Sequence, residues 1–309
     1  MLPGVSTFLE RRQIPLYLLA LALGAGIGLA APAAAPAFEV SVTPVLMALL
    51  YATFLGIPLR ATRIDAPFLT AVLTLNFVVV PVLAYGLSRF VADDGVLVFR
   101  VLLVLLAPCI DYVIVFTGLA GGAADRLLAA APVLMVVQML LIPVYLGVFL
   151  GPGVADLIEP GPFVQALLLF IVVPLAAAAV TQWLGVNRLM AVMESLMVPL
   201  MMATLLVVVA SQIDAVRADL PSLLRVIPLY IAFLVVTAPA GLLVSRILRQ
   251  DVPGRRAVVF SGATRNSLVV LPLALTVPGA AVVVVAQTLV ELIGMVIYVR
   301  LIPRLVQNQ

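Results

Sequence analysis

Ala107-Pro108-Cys109-Ile110-Asp111 interrupts a long apolar run with a proline, the chain's one cysteine and a carboxylate. A second interruption, Gly262-Ala263-Thr264-Arg265-Asn266-Ser267, lies in the middle of another apolar run. A charge at bilayer depth costs about 2.5–3.5 kcal/mol per residue on insertion scales. Such residues persist where they face a partner or a water-filled cavity. The two stretches therefore read as halves of one site, and the rest of the chain as the scaffold that brings them together.

The composition supports this setting. The 309 residues are 65% hydrophobic and 10% charged, with a mean hydropathy of +1.29. A soluble domain carries about 25% charged residues, so the chain reads as an all-α polytopic membrane protein. The alternating strands of about ten residues that build a membrane β-barrel are absent from the pattern. All 17 cationic residues are arginines, and the net charge is +3. They lie mainly in loops, which speaks for membrane orientation and against nucleic-acid binding. One cysteine excludes an internal disulfide or a cysteine-cluster metal site. The absence of histidine removes the usual metal ligand and general base. No phosphate loop or nucleotide motif is present, so neither a cofactor, an enzyme activity nor an ATP-driven pump is expected.

Apolar windows give ten expected spans, each near the roughly 20 residues a bilayer requires. They cover about 14–32, 42–59, 66–88, 96–119, 128–150, 162–184, 190–211, 223–245, 257–277 and 280–302. Arg11-Arg12 followed by an apolar run resembles a signal peptide, but the run is nearer to spanning length and reads as the first transmembrane helix. With the N-terminus inside, 12 arginines fall in inner segments and 4 at outer ones, with Arg265 inside a span. That bias places both termini in the cytoplasm. The expected location is the plasma membrane. Ten spans form one transporter domain over residues 1–309, with repeats at about 14–150 and 162–302. Five spans per half invert the second half, as in many secondary transporters, and put the two interruptions in the matching fourth and ninth spans.

Pro108 and Gly262 are the expected helix-breaking positions of those spans. Asp111 and Arg265 carry opposite charges at matching places, so an ion pair would lower the cost of both. Cys109 is soft and suits a thiophilic partner better than a hard ion, although a lone buried cysteine also serves as a small core residue. Asn266 and Ser267 supply hydrogen-bonding groups beside it. Glu291, a lone carboxylate in the tenth span, suits a proton carrier or a hydrogen-bond anchor.

These residues resemble those of the arsenical-resistance permeases, in the bile acid/arsenite/riboflavin transporter superfamily that also holds the bile acid:sodium symporters. Leu106-Ala107-Pro108-Cys109-Ile110 through Val115-Phe116-Thr117-Gly118-Leu119-Ala120 is similar to that family's fourth-helix segment, which carries a cysteine implicated in moving arsenite. Gln138-Met139-Leu140 through Val144-Tyr145 resembles the fifth helix, and Leu289-Val290-Glu291 the tenth. Arg265-Asn266-Ser267 resembles the superfamily's polar crossover. Leu268 stands where the permeases usually have a glutamate. Ser261 and Arg265 stand where the sodium symporters have an ion-site glutamate and glutamine. The resemblance implies a panel domain and a core domain, with broken helices 4 and 9 crossing in the core.

The expected function is secondary-active export of arsenite or antimonite by alternating access, with protons as coupling ion through Asp111 or Glu291. Cys109, Asp111, Arg265, Asn266 and Ser267 form the expected substrate site. The alternative is transport of a small organic anion, with Arg265 binding its acidic group. The arginine bias makes a direct prediction: a reporter fused after Gln309 reads cytoplasmic, and an external reading overturns the inverted-repeat arrangement.

Overall fold

Aspartate and proline punctuation decides where several helices start. In the computed structural model, which describes residues 12–56, 65–109, 112–150, 165, 168–218, 220–266 and 280–307, Asp65, Asp94 and Asp251 are N-caps. Their carboxylates accept from the Phe68, Leu97 and Gly254 amides at 3.1, 2.9 and 3.0 Å. Each bond satisfies an amide that the first helical turn leaves without a partner.

The described helices are α1 (Gln13–Ala30), α2 (Ala35–Gly56), α3 (Ala66–Val91), α4 (Gly95–Leu105), α5 (Tyr112–Leu119), α6 (Ala124–Leu150), α7 (Val173–Leu184), α8 (Asn187–Ala218), α9 (Leu220–Ile247), α10 (Val252–Ala263) and α11 (Ala280–Leu305). No strand occurs among the described residues. Pro32–Gly56, Ala66–Val91, Asn187–Ser211 and Leu220–Ile247 are long and apolar enough to cross a bilayer. α6 makes a fifth if its two arms count as one span, because it bends by 48° between Gln138 and Leu140. Pro143 explains the bend: its ring crowds the carbonyl four residues back, that of Met139. The protein is thus an all-helical membrane protein. Val78, Val82, Val148, Trp183 and Val235 point outward, as lipid-facing side chains do.

The helices group into two compact units. The first comprises Met1–Leu59, Pro160–Leu220 and Leu271–Val285. In it α8 packs along α1 and α2, and α7 along α2. Gln182 of α7 donates to the Phe54 and Leu55 carbonyls at 3.3 and 3.1 Å, serving the open C-terminal end of α2. α7 ends on Gly185 at φ 66°, a left-handed cap that turns the chain into α8. Gly24 lies where α1 meets α8: a Cβ there would sit 2.6 Å from the Leu206 carbonyl oxygen. A small residue is what lets two membrane helices approach this closely.

The second unit comprises Arg60–Glu159, Pro221–Val270 and Ala286–Gln309. α3 contains a π turn at Leu75–Val79, followed by Pro81. Proline has no amide proton to give the Phe77 carbonyl. The Tyr145 hydroxyl of α6 donates to that carbonyl instead. The π turn carries Asn76, which is fully buried. Gly262 of α10 packs on the same turn, since a Cβ there would meet Leu75 Cδ2 at 2.4 Å.

The contact at Gly24 sets up a paired test. Gly24→Val should lower stability by about 1–3 kcal/mol, through overpacking against backbone that has no room to move. Gly26 has nothing within 4 Å of its would-be Cβ. Gly26→Ala should therefore be neutral, or stabilising by up to about 1 kcal/mol through helix propensity. Thermal unfolding of the purified protein in detergent checks both.

Candidate functional site: the crossing of two broken helices

α4 stops at Leu105 because the chain beyond it cannot remain helical. Ala107 precedes a proline and is pushed toward extended backbone, and Pro108 has no amide to donate. α10 stops at Ala263, where Thr264 turns to an extended conformation at φ −93° and ψ 136°. Thr264 closes the last turn itself, its amide and hydroxyl donating to the Phe260 carbonyl at 3.1 and 2.8 Å.

The two breaks satisfy each other. Pro108 and Arg265 form an antiparallel bridge, the one isolated β-bridge among the described residues. The Cys109 amide donates to the Thr264 carbonyl at 3.2 Å, and the Asn266 amide to the Ala107 carbonyl at 2.8 Å. Unwound backbone at membrane depth must be satisfied within the protein, and this pairing does so.

Arg265 binds the rest together. Its side chain is fully buried. Nη2 donates to Asn76 Oδ1 at 2.7 Å and to the Ser261 and Gly262 carbonyls at 2.8 Å each. Nη1 reaches the Leu105 carbonyl at 3.3 Å. The last carbonyls of α4 and α10 both converge on one guanidinium, and helix C-termini carry partial negative charge. The Phe233 ring lies 5.5 Å from Cζ, adding a cation–π contact. Asn76 is held in place by its own bonds to Ser261 Oγ at 2.8 Å and to the Val72 carbonyl at 3.0 Å. The guanidinium thus occupies a nest of four oxygens, in the way a bound cation would.

A buried carboxylate stands on the other side of the same residue. Glu291 Oε2 accepts from the Arg265 amide at 2.7 Å and from Gln287 Nε2, one helical turn earlier on α11. Beside it, Leu105, Tyr230, Phe233, Gln287 and Glu291 border a narrow internal cleft, too tight in this conformation for a free water. The Tyr230 hydroxyl and Gln287 Oε1 are buried there with no hydrogen-bond partner among the described residues.

The structure therefore brings Pro108, Cys109, Arg265, Asn266 and Glu291 to one crossing. Cys109 is fully buried and reduced. Gly262 differs from its expected role. It lies within the last turn of α10, where it permits the close approach of Leu75 and offers its carbonyl to Arg265, and the break begins two residues later. Asp111 and Ser267 lie outside the described residues. Sequence reasoning passed over Asn76, Tyr230 and Gln287. Asn76 carried a signal, a lone amide in an apolar run five residues before Pro81. Gln287 carried another, its i, i+4 spacing to Glu291.

Residues 43–219 match the sequence pattern of the Sodium Bile acid symporter family. No curated protein matches the chain.

The geometry around Arg265 predicts that Arg265→Lys is not conservative. A compact ammonium cannot fork across three carbonyls and an amide. Breaking such a buried network costs about 3 kcal/mol or more. Asn76→Ala, which leaves the guanidinium in place, should cost about 1–3 kcal/mol. A lysine variant with the wild-type thermal midpoint would show that the guanidinium does not hold the crossing.

Proposed function

The chain belongs to the sodium bile acid symporter family, and with it to the membrane transporters; we propose, from the residues of the crossing, that it is a secondary-active exporter of arsenite or antimonite that runs on protons rather than sodium. That it is a membrane transporter rather than an enzyme follows from the family. The ten-span arrangement in two inverted halves, with the panel moving against a core, belongs to the proposal. Broken, crossing helices at midplane are the usual substrate site of such folds.

The observation that carries the proposal is the buried guanidinium of Arg265 in its nest of four oxygens. Arginine does not readily deprotonate. A sodium ion about 4 Å away would be repelled by roughly 4 kcal/mol at an effective dielectric of 20, weakening its binding about a thousandfold. The protein's own cation takes the place of a coupling ion, and proton exchange falls to Glu291 or Asp111. Cys109, whose backbone is held at the crossing, gives trivalent arsenic a transient soft contact. Asn266, Asp111 and Ser267 bond the substrate's hydroxyls, with Tyr230 and Gln287 as further donors and acceptors beside Glu291.

The family's description favours a second reading, transport of a small organic anion with Arg265 as its counter-charge. Against it, the guanidinium already has protein acceptors on both of its terminal nitrogens.

Three measurements test the proposal. Cells carrying the chain should tolerate arsenite better than cells without it, and Cys109→Ser should remove that gain at equal expression. Unchanged resistance returns Cys109 to a packing role. In proteoliposomes at fixed pH, replacing sodium by choline should leave transport intact, and a steep sodium dependence sinks the proton reading. Arg265→Gln should lose stability, and sodium should restore part of it by entering the vacated nest.

A further inference from the structure

Three arginines from three helices line one cavity of about 610 Å³ in the second unit. Arg246 lies in the last turn of α9, Arg255 near the start of α10 and Arg304 in the last turn of α11. None of the cavity's other lining residues is acidic. Neither Arg246 nor Arg304 belongs to an ion pair among the described residues. The tight turn between α9 and α10 sets the first two arginines across the cavity. Arg249 takes the left-handed conformation at φ 51° there, and the Gln250 amide donates back to the Ser245 carbonyl at 2.9 Å. Behind the cavity, Arg256 pins the Val306 carbonyl at 2.8 Å, which holds the end of α11 in place.

A second cleft, of about 320 Å³, shares Arg304 and is lined along α11 by Arg300, Leu301, Ile297 and Val296. The three apolar side chains are exposed. From Arg304 back to Val296 the helix runs about 12 Å, a length that suits the upper part of an acyl chain. A basic cavity that shares Arg304 with a largely apolar cleft is complementary to a molecule with an anionic head and a hydrocarbon tail. A free phosphate would use only the cavity, and a zwitterionic lipid would bring its ammonium among three guanidinium groups.

We propose that this end of the protein binds one anionic phospholipid, its phosphate among Arg246, Arg255 and Arg304 and one acyl chain against Val296, Ile297 and Leu301. The arginine bias puts this end at the cytoplasmic leaflet, where anionic lipids attract clustered arginines. A lipid here ties α9 and α11 to the start of α10, the helix whose C-terminal end leads into Arg265. The site does not depend on what the protein transports.

The test is native mass spectrometry of the full-length protein released from vesicles of phosphatidylglycerol mixed with phosphatidylcholine. The wild type should retain phosphatidylglycerol in preference to phosphatidylcholine. Arg246→Gln and Arg304→Gln should each weaken retention about fivefold, and the double variant about 25-fold. Both side chains are exposed, so the variants should fold, and wild-type thermal midpoints in detergent would check this. Arg188→Gln, on α8 of the first unit, should leave retention unchanged. Glycerophosphoglycerol, the same head group without chains, should not displace the lipid. Equal retention of both lipids, undiminished retention in the double variant, or displacement by the chainless head group would overturn the proposal.

Discussion

A guanidinium buried at the meeting of two helix C-termini is the constraint on which the second unit depends. Ending two helices inside a membrane protein leaves carbonyls that no solvent can satisfy. Arg265 takes three of them, from Leu105, Ser261 and Gly262, together with the Asn76 amide oxygen. Its backbone at the same time pairs with the break at Pro108 and donates to Glu291. One residue therefore answers for the backbone of both breaks, for the partial negative charge of two helices and for the position of a buried carboxylate.

The neighbouring features follow from that arrangement. α3 brings a side-chain oxygen to the guanidinium by way of a π turn, and π turns are often found at functional positions. Pro81 follows the turn, and Tyr145 serves the carbonyl that the proline cannot. Gly262 has no side chain because Leu75 occupies the space where one would be. Each departure from regular helix in α3, α4 and α10 has a partner that repairs it.

The arrangement also bears on coupling. Under the proposed function, a site that has incorporated its own permanent cation would have little use for a mobile one, and the buried carboxylate next to it would be where a proton binds. The residue whose charge would disfavour sodium also holds Glu291 near the crossing, through its backbone amide. In the proposed function coupling and architecture share one residue, and the basic cavity lies at the start of α10, the helix that leads into it.

Membrane class and the two interruptions were legible in the sequence, because hydropathy, proline and charge at depth act locally and leave local marks. Arg265, Cys109, Pro108 and Glu291 stood out for that reason, as polar or rigid residues where apolar flexible ones are the rule. What faces what was decided only by the tertiary structure. Asn76 lies 189 residues from Arg265, and Tyr145 lies 68 from Phe77, separations at which no periodicity connects two positions. Gly262 read as a break because glycine weakens helices, whereas its place is set by a leucine on another helix. A side chain's type and depth are written in the sequence, but its hydrogen-bond partner is chosen by which helices pack together.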